Sequence, residues 1–196
     1  MEPGCAGTWQ ATEMSESAAI LLISGPPGSG KTTVARVLAA EFERSVHVES
    51  DLFFEFIAAG YIEPWEAESR DQNEVVMQIV CDAAASYAAA GYFTIVDGIL
   101  IPGWHFETVR DCLHSCGMNV SYAVLRPSLT TAIGRAKGRV PRKLSQDAII
   151  EQLWESFRDL GHLERHAIDN DGVTVEQTAA ILVEDLRQGR LQTRPS

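Results

Sequence analysis

Lysine and cysteine are both scarce in this sequence, and it has no long apolar run. Among 196 residues there are three lysines and four cysteines. No two cysteines have the C-x-x-C spacing of zinc and thioredoxin-type sites, which favours reduced thiols in a cytoplasmic protein. Because no apolar run approaches the ~20 residues of a membrane-spanning helix, we expect no membrane partner.

Positive charge is in short supply as well. The chain carries 16 basic and 27 acidic residues, a formal net charge of −11. Proteins that bind DNA or RNA through the phosphate backbone present an excess of positive charge, so general nucleic-acid binding is not expected. The hydrophobic fraction of 45% and the charged fraction of 22% are ordinary for a globular domain.

Short apolar runs bounded by turn residues alternate with longer stretches of helical periodicity. Such runs are typical of buried parallel strands, with the intervening helices covering both faces of the sheet. The sequence therefore predicts an α/β fold, with residues 19–189 forming one domain. Residues 1–18 and 190–196 show neither pattern, and we predict a flexible extension and a flexible tail there. The predicted strands lie near residues 20–23, 45–49, 92–97, 120–125 and 166–169.

The segment between the first predicted strand and the first predicted helix carries the most specific motif. Gly25–Thr32 matches the phosphate-binding pattern G-x-x-x-x-G-K-[ST] in full. Glycines let backbone N–H groups point at phosphates, Lys31 is expected to reach the β- and γ-phosphates, and the Thr32 hydroxyl is expected to ligate Mg²⁺. The predicted contacts of the nucleotide, ATP or GTP, are Gly25, Pro26, Pro27, Gly28, Ser29, Gly30, Lys31, Thr32 and Thr33.

Two aspartates follow predicted strands and are candidate partners of that loop. Ligands of open α/β sheets bind at the carboxyl ends of the strands. Asp51 follows the second strand, where its carboxylate would orient an acceptor hydroxyl, take its proton, hold Mg²⁺ through water, or cap the next helix. Asp97 ends the third strand in the pattern of a Walker B acid, so we expect it at the Mg²⁺ and substrate site.

Arginines cluster late in the sequence, on a predicted helix and the loop after it. Arg135 and Arg139 are four residues apart and share one helical face. Phosphoryl transfer is assisted by cations that arrive when a lid closes over the transferring group. We therefore predict a basic lid over about residues 137–146, with Arg135 and Arg139 in catalytic roles.

The region between the second and third strands is rich in aromatic residues and includes a few polar ones. This composition is typical of a small-molecule pocket, although most of the aromatic side chains are expected to serve the core. The candidate acceptor contacts in this region are Phe54, Arg70 and Asn73.

Together these motifs resemble the small P-loop kinases of the adenylate-kinase-like group, which includes shikimate and gluconate kinases. The resemblance is greatest to chloramphenicol phosphotransferase-like proteins and covers roughly residues 19–187. The residues that carry it are Gly25–Thr32, Asp51, Val96-Asp97-Gly98, Arg135 and Arg139.

The resemblance implies a five-stranded parallel sheet in the order 2-3-1-4-5, with ATP or GTP and Mg²⁺ as cofactors. It also implies that Asp51 faces the acceptor hydroxyl, that Arg135 lies near the base and Arg139 near phosphate, and that Asn170 borders the base. The acceptor itself stays open. Shikimate kinases carry Asp-x-Asp where this chain has Glu49-Ser50-Asp51, and Arg70 stands alone where nucleotide kinases pair arginines.

The expected function is accordingly phosphorylation of a hydroxyl group on a small molecule, with antibiotics among the candidate acceptors. A nucleoside, a nucleotide or a sugar acid is the alternative acceptor. A nucleotide-dependent switch or binding module without kinase activity is the alternative of another class, and the oligomeric state is left open.

Overall fold

One parallel sheet organises the chain, with helices on both of its faces. In a computed structural model, residues 19–137 and 147–195 are described. Five strands pair in the order β2-β3-β1-β4-β5, and every pair is parallel. The α/β expectation is confirmed, and so is the sheet order that the family resemblance implies.

Strands and helices alternate along the chain, as the sequence pattern predicts. The strands are β1 (Ala19–Ser24), β2 (Ser45–Glu49), β3 (Phe93–Asp97), β4 (Asn119–Leu125) and β5 (Ala167–Ile168). The helices are α1 (Lys31–Ala39), α2 (Asp51–Glu55), α3 (Arg70–Ala89), α4 (Phe106–Ser115), α5 (Leu129–Lys137), α6 (Asp147–Glu155) and α7 (Val175–Arg187).

Both faces of the sheet are buried, because alternate residues of each strand point to opposite sides. On one face, Leu22 and Val96 belong to a core shared with α3 and α4. On the other face, Ile23 and Ile95 belong to a core shared with α1 and α7. Asp97 lies two residues after Ile95 and so continues this second face at the carboxyl end of β3. The strand alternation therefore aims the Asp97 carboxylate toward α1.

The end of the chain differs from its prediction. Instead of leaving the domain as a flexible tail at residue 190, the chain runs antiparallel to β4. Tyr122 N donates to Leu191 O at 2.8 Å, and Thr193 N donates to Val120 O at 2.9 Å. The Leu191 side chain is 1% exposed and joins the core beneath α7. A single apolar residue in a polar run has no periodicity, which is why the sequence pattern does not predict this pairing.

Two further expectations concern other parts of the chain. Residues 1–18 and the predicted lid beyond Lys137 lie outside the described residues. Within the described ranges, no helix combines the length and the apolar composition needed to cross a membrane.

Candidate functional site

The loop between β1 and α1 leaves the sheet at the carboxyl end of β1. Gly25, Gly28 and Gly30 have φ values of 140°, 81° and 95°, in the region that favours glycine. A Cβ added to Gly28 would lie 2.1 Å from the carbonyl oxygen of Ala132, and one on Gly25 would lie 2.2 Å from that of Leu125. Gly25 and Gly28 are therefore required by the packing of the loop against its neighbours.

Lys31 is the first residue of α1, and its side chain folds back over the loop. Its Nζ donates to the carbonyl oxygens of Gly25 at 2.8 Å and Pro26 at 3.1 Å. The residue is only 9% exposed. The ammonium charge is thus concentrated at the loop, where backbone N–H groups and the start of α1 also favour an anion.

A chain of three polar side chains connects α1 to two strands. Thr32 Oγ1 donates to Asp97 Oδ2 at 2.7 Å, and His47 Nε2 lies 2.7 Å from Asp97 Oδ1. The Asp97 side chain is 2% exposed and the His47 side chain 13%. Each oxygen of this buried carboxylate has a partner, so its orientation is determined from two sides. The structure thereby brings together Thr32 and Asp97, the two residues expected to ligate Mg²⁺.

His47 is the residue at this site that the sequence reasoning misses. The sequence feature that could have indicated it is its spacing of two residues from Glu49, which places both side chains on the face of β2 that neighbours Asp97. The register pairs Glu49 with Asp97, and Arg36 of α1 forms a salt bridge with Glu49 at 3.2 Å. That signal becomes usable only when β2 is known to pair with β3.

Asp51 begins α2 at the same edge of the sheet. The backbone N–H of Ser50 donates to the carbonyl oxygen of Asp97 at 2.9 Å, which ties the start of α2 to the end of β3. A Cβ on Gly98 would lie 2.1 Å from Ser50 Oγ, so glycine is needed for this close approach. The structure therefore places Asp51 just after β2, beside the carboxyl end of β3.

A cavity of about 480 Å³ opens beside the loop, between α5 and the start of α7. Gly28 and Thr33 line it from the loop side, and Arg135 and Asn170 line it from the opposite side. Arg135 Nη2 donates to Asn170 O at 3.1 Å, and Asn170 Nδ2 donates to Ser29 O at 2.9 Å. Residues expected near the base therefore share one cavity with the phosphate-binding loop.

Two buried polar atoms beside this cavity lack a partner. Among the described residues, Ser29 Oγ and Asn170 Oδ1 form no hydrogen bond. Leaving a buried polar atom unpaired costs about 1–3 kcal/mol, so native structures rarely keep such atoms without a ligand or water that satisfies them. Both atoms belong to residues that line the cavity, which favours a polar ligand there.

Three of the residues predicted to contact the acceptor make other interactions in this structure, and their contact with an acceptor stays a prediction. The Arg70 side chain is 83% exposed and forms a salt bridge with Glu74 at 3.0 Å, one turn along α3. Asn73 is 1% exposed, and its Nδ2 donates to Pro64 O at 2.8 Å and to Ser69 Oγ at 2.9 Å, so it fastens the preceding loop. Phe54 is half-buried against the core.

The remaining predicted cation cannot be placed beside the others. Arg139 lies outside the described residues, as does the rest of the predicted lid after Lys137. Arg135 is exposed on the last turn of α5 and reaches Asn170 across the cavity.

Solved structures share this fold across most of the chain. The tunicamycin resistance protein of Deinococcus radiodurans has a TM-score of 0.65 at 19% identity, covering 90% of this chain and 99% of that one. An APS kinase from Mycobacterium tuberculosis, solved with AMPPNP and APS, has a TM-score of 0.67 at 16% identity, covering 88% and 99%. A shikimate kinase from Acinetobacter baumannii has a TM-score of 0.58 at 19% identity, covering 88% and 95%.

At such identities the likeness establishes the fold alone, which is that of a P-loop NTPase. Among curated proteins, none matches the sequence at a significant level. A family model described as an AAA domain matches residues 20–160, a range that includes the phosphate-binding loop, Asp51, Asp97 and α5. The chain therefore belongs to the AAA domain family of P-loop proteins.

Proposed function

We propose that the protein is a nucleoside-triphosphate-dependent phosphotransferase that acts on a hydroxyl group of a small molecule. The observation that carries the proposal is the convergence of Lys31, Thr32 and Asp97 at the sheet edge where Asp51 begins α2. The residues that would bind the triphosphate thus lie at the same edge of the sheet as Asp51, the carboxylate that would meet an acceptor hydroxyl. Open α/β sheets bind their ligands at this edge.

The residues present fit a magnesium nucleotide. Mg²⁺ takes hard oxygen ligands and is usually held by one or two protein groups together with phosphates and water. Thr32 Oγ1 and Asp97 Oδ2 supply such oxygens within 2.7 Å of each other. The cavity at Asn170 would hold the base, where Asn170 Oδ1 still needs a partner among the described residues. When bound, Mg²⁺ would neutralise charge that develops on the phosphates.

The chain's own residues would supply positioning and electrostatic stabilisation. Lys31 would exchange its loop carbonyls for phosphate oxygens, and Asp51 would orient the acceptor hydroxyl and accept its proton. A lid over residues 137–146, with Arg135 and Arg139 as its cations, is part of the proposal. Holding both substrates in line replaces an encounter in solution with a step inside one complex.

Antibiotics remain among the proposed acceptors, and nucleosides, nucleotides and sugar acids are the alternatives. Proteins with this fold include one named for tunicamycin resistance and others named as APS and shikimate kinases. The switch alternative differs in its outcome, because it predicts nucleotide-dependent capture of a partner and no phosphorylated small molecule.

The test is nucleotide turnover with MgATP or MgGTP and a panel of hydroxylated compounds, with mass spectrometry of the products. We expect one compound class to gain a phosphoryl group. Lys31→Ala and Asp51→Asn should lose about 10²-fold or more in turnover, the range typical of a lost transition-state group or proton acceptor. Arg190→Ala, which breaks a surface salt bridge with Asp185, is the control. Nucleotide binding without a phosphorylated product, or full turnover by Asp51→Asn, would contradict the proposed mechanism.

A further inference from the structure

An apolar groove lies between α2 and α3, on the side of the molecule where Asp51 begins α2. Its volume is about 520 Å³, and its apolar lining consists of Phe53, Phe56, Ile57, Val75, Val76 and Ile79. Phe56 is 77% exposed, Val75 60% and Ile79 48%. Neighbouring large apolar side chains that stay exposed together mark a surface built for a ligand or partner.

The stretch of sequence that contains α2 and the start of α3 is strongly acidic. From Glu49 to Glu74 the sequence has eight acidic residues and a single basic one, Arg70. Arg70 is itself paired with Glu74 at 3.0 Å. A bound molecule would therefore meet a negative electrostatic potential, which attracts cations and repels anions.

Of the two polar residues that line the groove, Asp71 contributes to this charge and Gln72 is neutral. Gln72 has both amide atoms engaged with Ile62, donating to its carbonyl oxygen at 2.7 Å and accepting from its N–H at 2.8 Å. Asp71 is exposed and also lines the groove. The carboxylate of Asp71 is therefore available to a ligand in the groove, and it would pair best with a cationic group.

The loop fastened by Gln72 also lies within the electrostatic influence of Asp51. The Tyr61 hydroxyl donates to Glu63 Oε2 at 3.0 Å. Partial burial, the hydrogen bond to Glu63 and the charges of Glu63 and Asp51 raise the pKa of Tyr61 to about 12. Asp51 and Glu63 therefore both contribute negative charge beside this loop, and Asp51 begins α2, which lines the groove through Phe53.

We infer that the phosphate acceptor is a hydroxylated small molecule with an apolar body and a basic amine. This inference rests on the proposed function and specifies its acceptor. The apolar body fills the groove between α2 and α3, the ammonium faces Asp71, and a hydroxyl reaches Asp51. Carboxylated or phosphorylated acceptors are disfavoured, because their charge repels that of the surrounding residues.

The transfer step balances with these groups. The bond between the γ-phosphorus and its bridging oxygen breaks, and a bond forms from the acceptor oxygen to that phosphorus. The hydroxyl proton passes to Asp51, and the nucleoside diphosphate leaves with the bridging oxygen. The ammonium of the acceptor takes no part in this exchange and serves recognition alone.

The test compares three probes that differ in charge at one position: 2-amino-1-phenylpropane-1,3-diol, its N-acetyl amide and its N-succinyl amide. Binding is measured by calorimetry with Mg²⁺ and a non-hydrolysable ATP analogue, so the readout needs no transfer. We expect the amine to bind about fivefold tighter than the neutral amide, and the anionic amide to bind weakest. Equal affinities for amine and anion, or no measurable binding by any probe, would overturn the inference.

A matched pair of charge reversals locates the effect. Asp71→Lys and Asp82→Lys change the net charge equally and lie on the same helix, but Asp82 bonds to Gln78 and does not line the groove. Asp71→Lys should weaken binding of the amine about fivefold or more and strengthen that of the anion. Asp82→Lys should change neither by more than about twofold. Equal effects of the two variants would overturn the assignment to the groove.

A second pair of variants tests the apolar part. Val75→Ser in the groove should weaken binding of all three probes, whereas Ile181→Ser, on the 39% exposed Ile181 of α7, should not. A dimer seen by sedimentation that Val75→Ser dissociates would show a second copy in the groove and would overturn the inference. Amine binding without phosphoryl transfer to any compound would contradict the proposed function, whereas phosphorylation of an anionic acceptor would contradict the acceptor class alone.

Discussion

Asp97 illustrates how one residue can organise a site from within the core. A buried carboxylate is stable only when its oxygens are paired, since its desolvation is costly. Here Thr32 satisfies one oxygen and His47 the other, each at 2.7 Å. Because His47 comes from the edge strand β2 and Thr32 from α1, the orientation of the carboxylate depends on how these two elements are placed relative to β3.

Replacement of His47 gives a prediction for this arrangement. His47→Leu removes the partner of Asp97 Oδ1 and should weaken binding of the magnesium nucleotide about tenfold, because the carboxylate loses its fixed orientation. His47→Gln retains an N–H donor and should keep most of the affinity. Calorimetric titration of ATP with and without Mg²⁺ measures the effect, which should disappear in EDTA. Equal affinities for the two variants would show that His47 does not position Asp97.

His105 gives a prediction of pH dependence. The residue is 9% exposed, and burial lowers its pKa from 6.5 to about 4, against the opposing charge of Glu74. Between these two pH values, His105 binds more protons in the unfolded chain than in the folded one. Its contribution to the free energy of unfolding is therefore fully present above pH 6.5 and is lost as the pH falls toward 4. His166, whose pKa burial also lowers, acts in the same direction.

Thermal unfolding measured between pH 6.5 and pH 4 tests whether stability falls on acidification as predicted. The midpoint of the wild type should fall on acidification more steeply than that of His105→Phe, which keeps an aromatic ring for the stacking contact with Trp104 at 4.2 Å. The variant should retain a shallower dependence because His166 is unchanged. Identical slopes for the two proteins would remove His105 from the acid response.

At the scale of elements, the last residues behave as an additional antiparallel strand segment on β4. The contact is more than a backbone pairing, since Thr193 Oγ1 also donates to Val120 O at 2.8 Å and Arg165 Nη2 donates to Gln192 O at 3.1 Å. Leu191 anchors it in the core at 1% exposure. The segment therefore covers the edge of the sheet beside β4, where β5 contributes only two residues.

Leu191→Ala should destabilise the protein by about 3 kcal/mol, the cost of removing a fully buried leucine side chain. Leu52→Ala, at a leucine that is 40% exposed, is the matched control and should change the free energy of unfolding by less than about 1 kcal/mol. Urea denaturation measures both. Similar values for the two variants would mean that Leu191 is not anchored in the core.

Elements with strong local signals were predictable, and those that depend on distant pairing were not. The apolar runs of β1 to β4 and the phosphate-binding loop are local patterns, so their positions follow from the sequence. The sheet order came from the family resemblance, because periodicity does not say which strands pair. Whether Asn73 contacts a ligand or Pro64 depends on how a loop folds onto α3, and no local pattern carries that information. The same holds for His47.

At the scale of the whole molecule, the negative charge and the nucleotide site have different consequences. The net charge of −11 repels polyanions at a distance, whereas a triphosphate would be attracted by the local field of Lys31, the loop N–H groups and the start of α1. Affinity for an anion should thus depend on its shape more than on its charge.

A thermal-shift experiment tests this distinction. A magnesium nucleotide at about 100 times its dissociation constant should add about 2.7 kcal/mol to the free energy of unfolding, which corresponds to a rise of roughly 5–10 °C in the unfolding midpoint for a chain of this size. Lys31→Ala should lose most of this rise. Heparin, a flexible polyanion, should give no comparable rise, and an equal rise would indicate binding through diffuse charge.

Because Gly28 packs against α5, the glycines of the phosphate-binding motif are needed for a different reason than its lysine and threonine. The carbonyl of Ala132 excludes any side chain at Gly28, and that of Leu125 excludes one at Gly25, whether or not a nucleotide is bound. In a related protein that no longer bound the nucleotide, Lys31 and Thr32 could be substituted, whereas these glycines would be retained because the fold requires them. Glycines that persist without the lysine would therefore indicate a retained fold, and a match to the glycines alone would say nothing about catalysis.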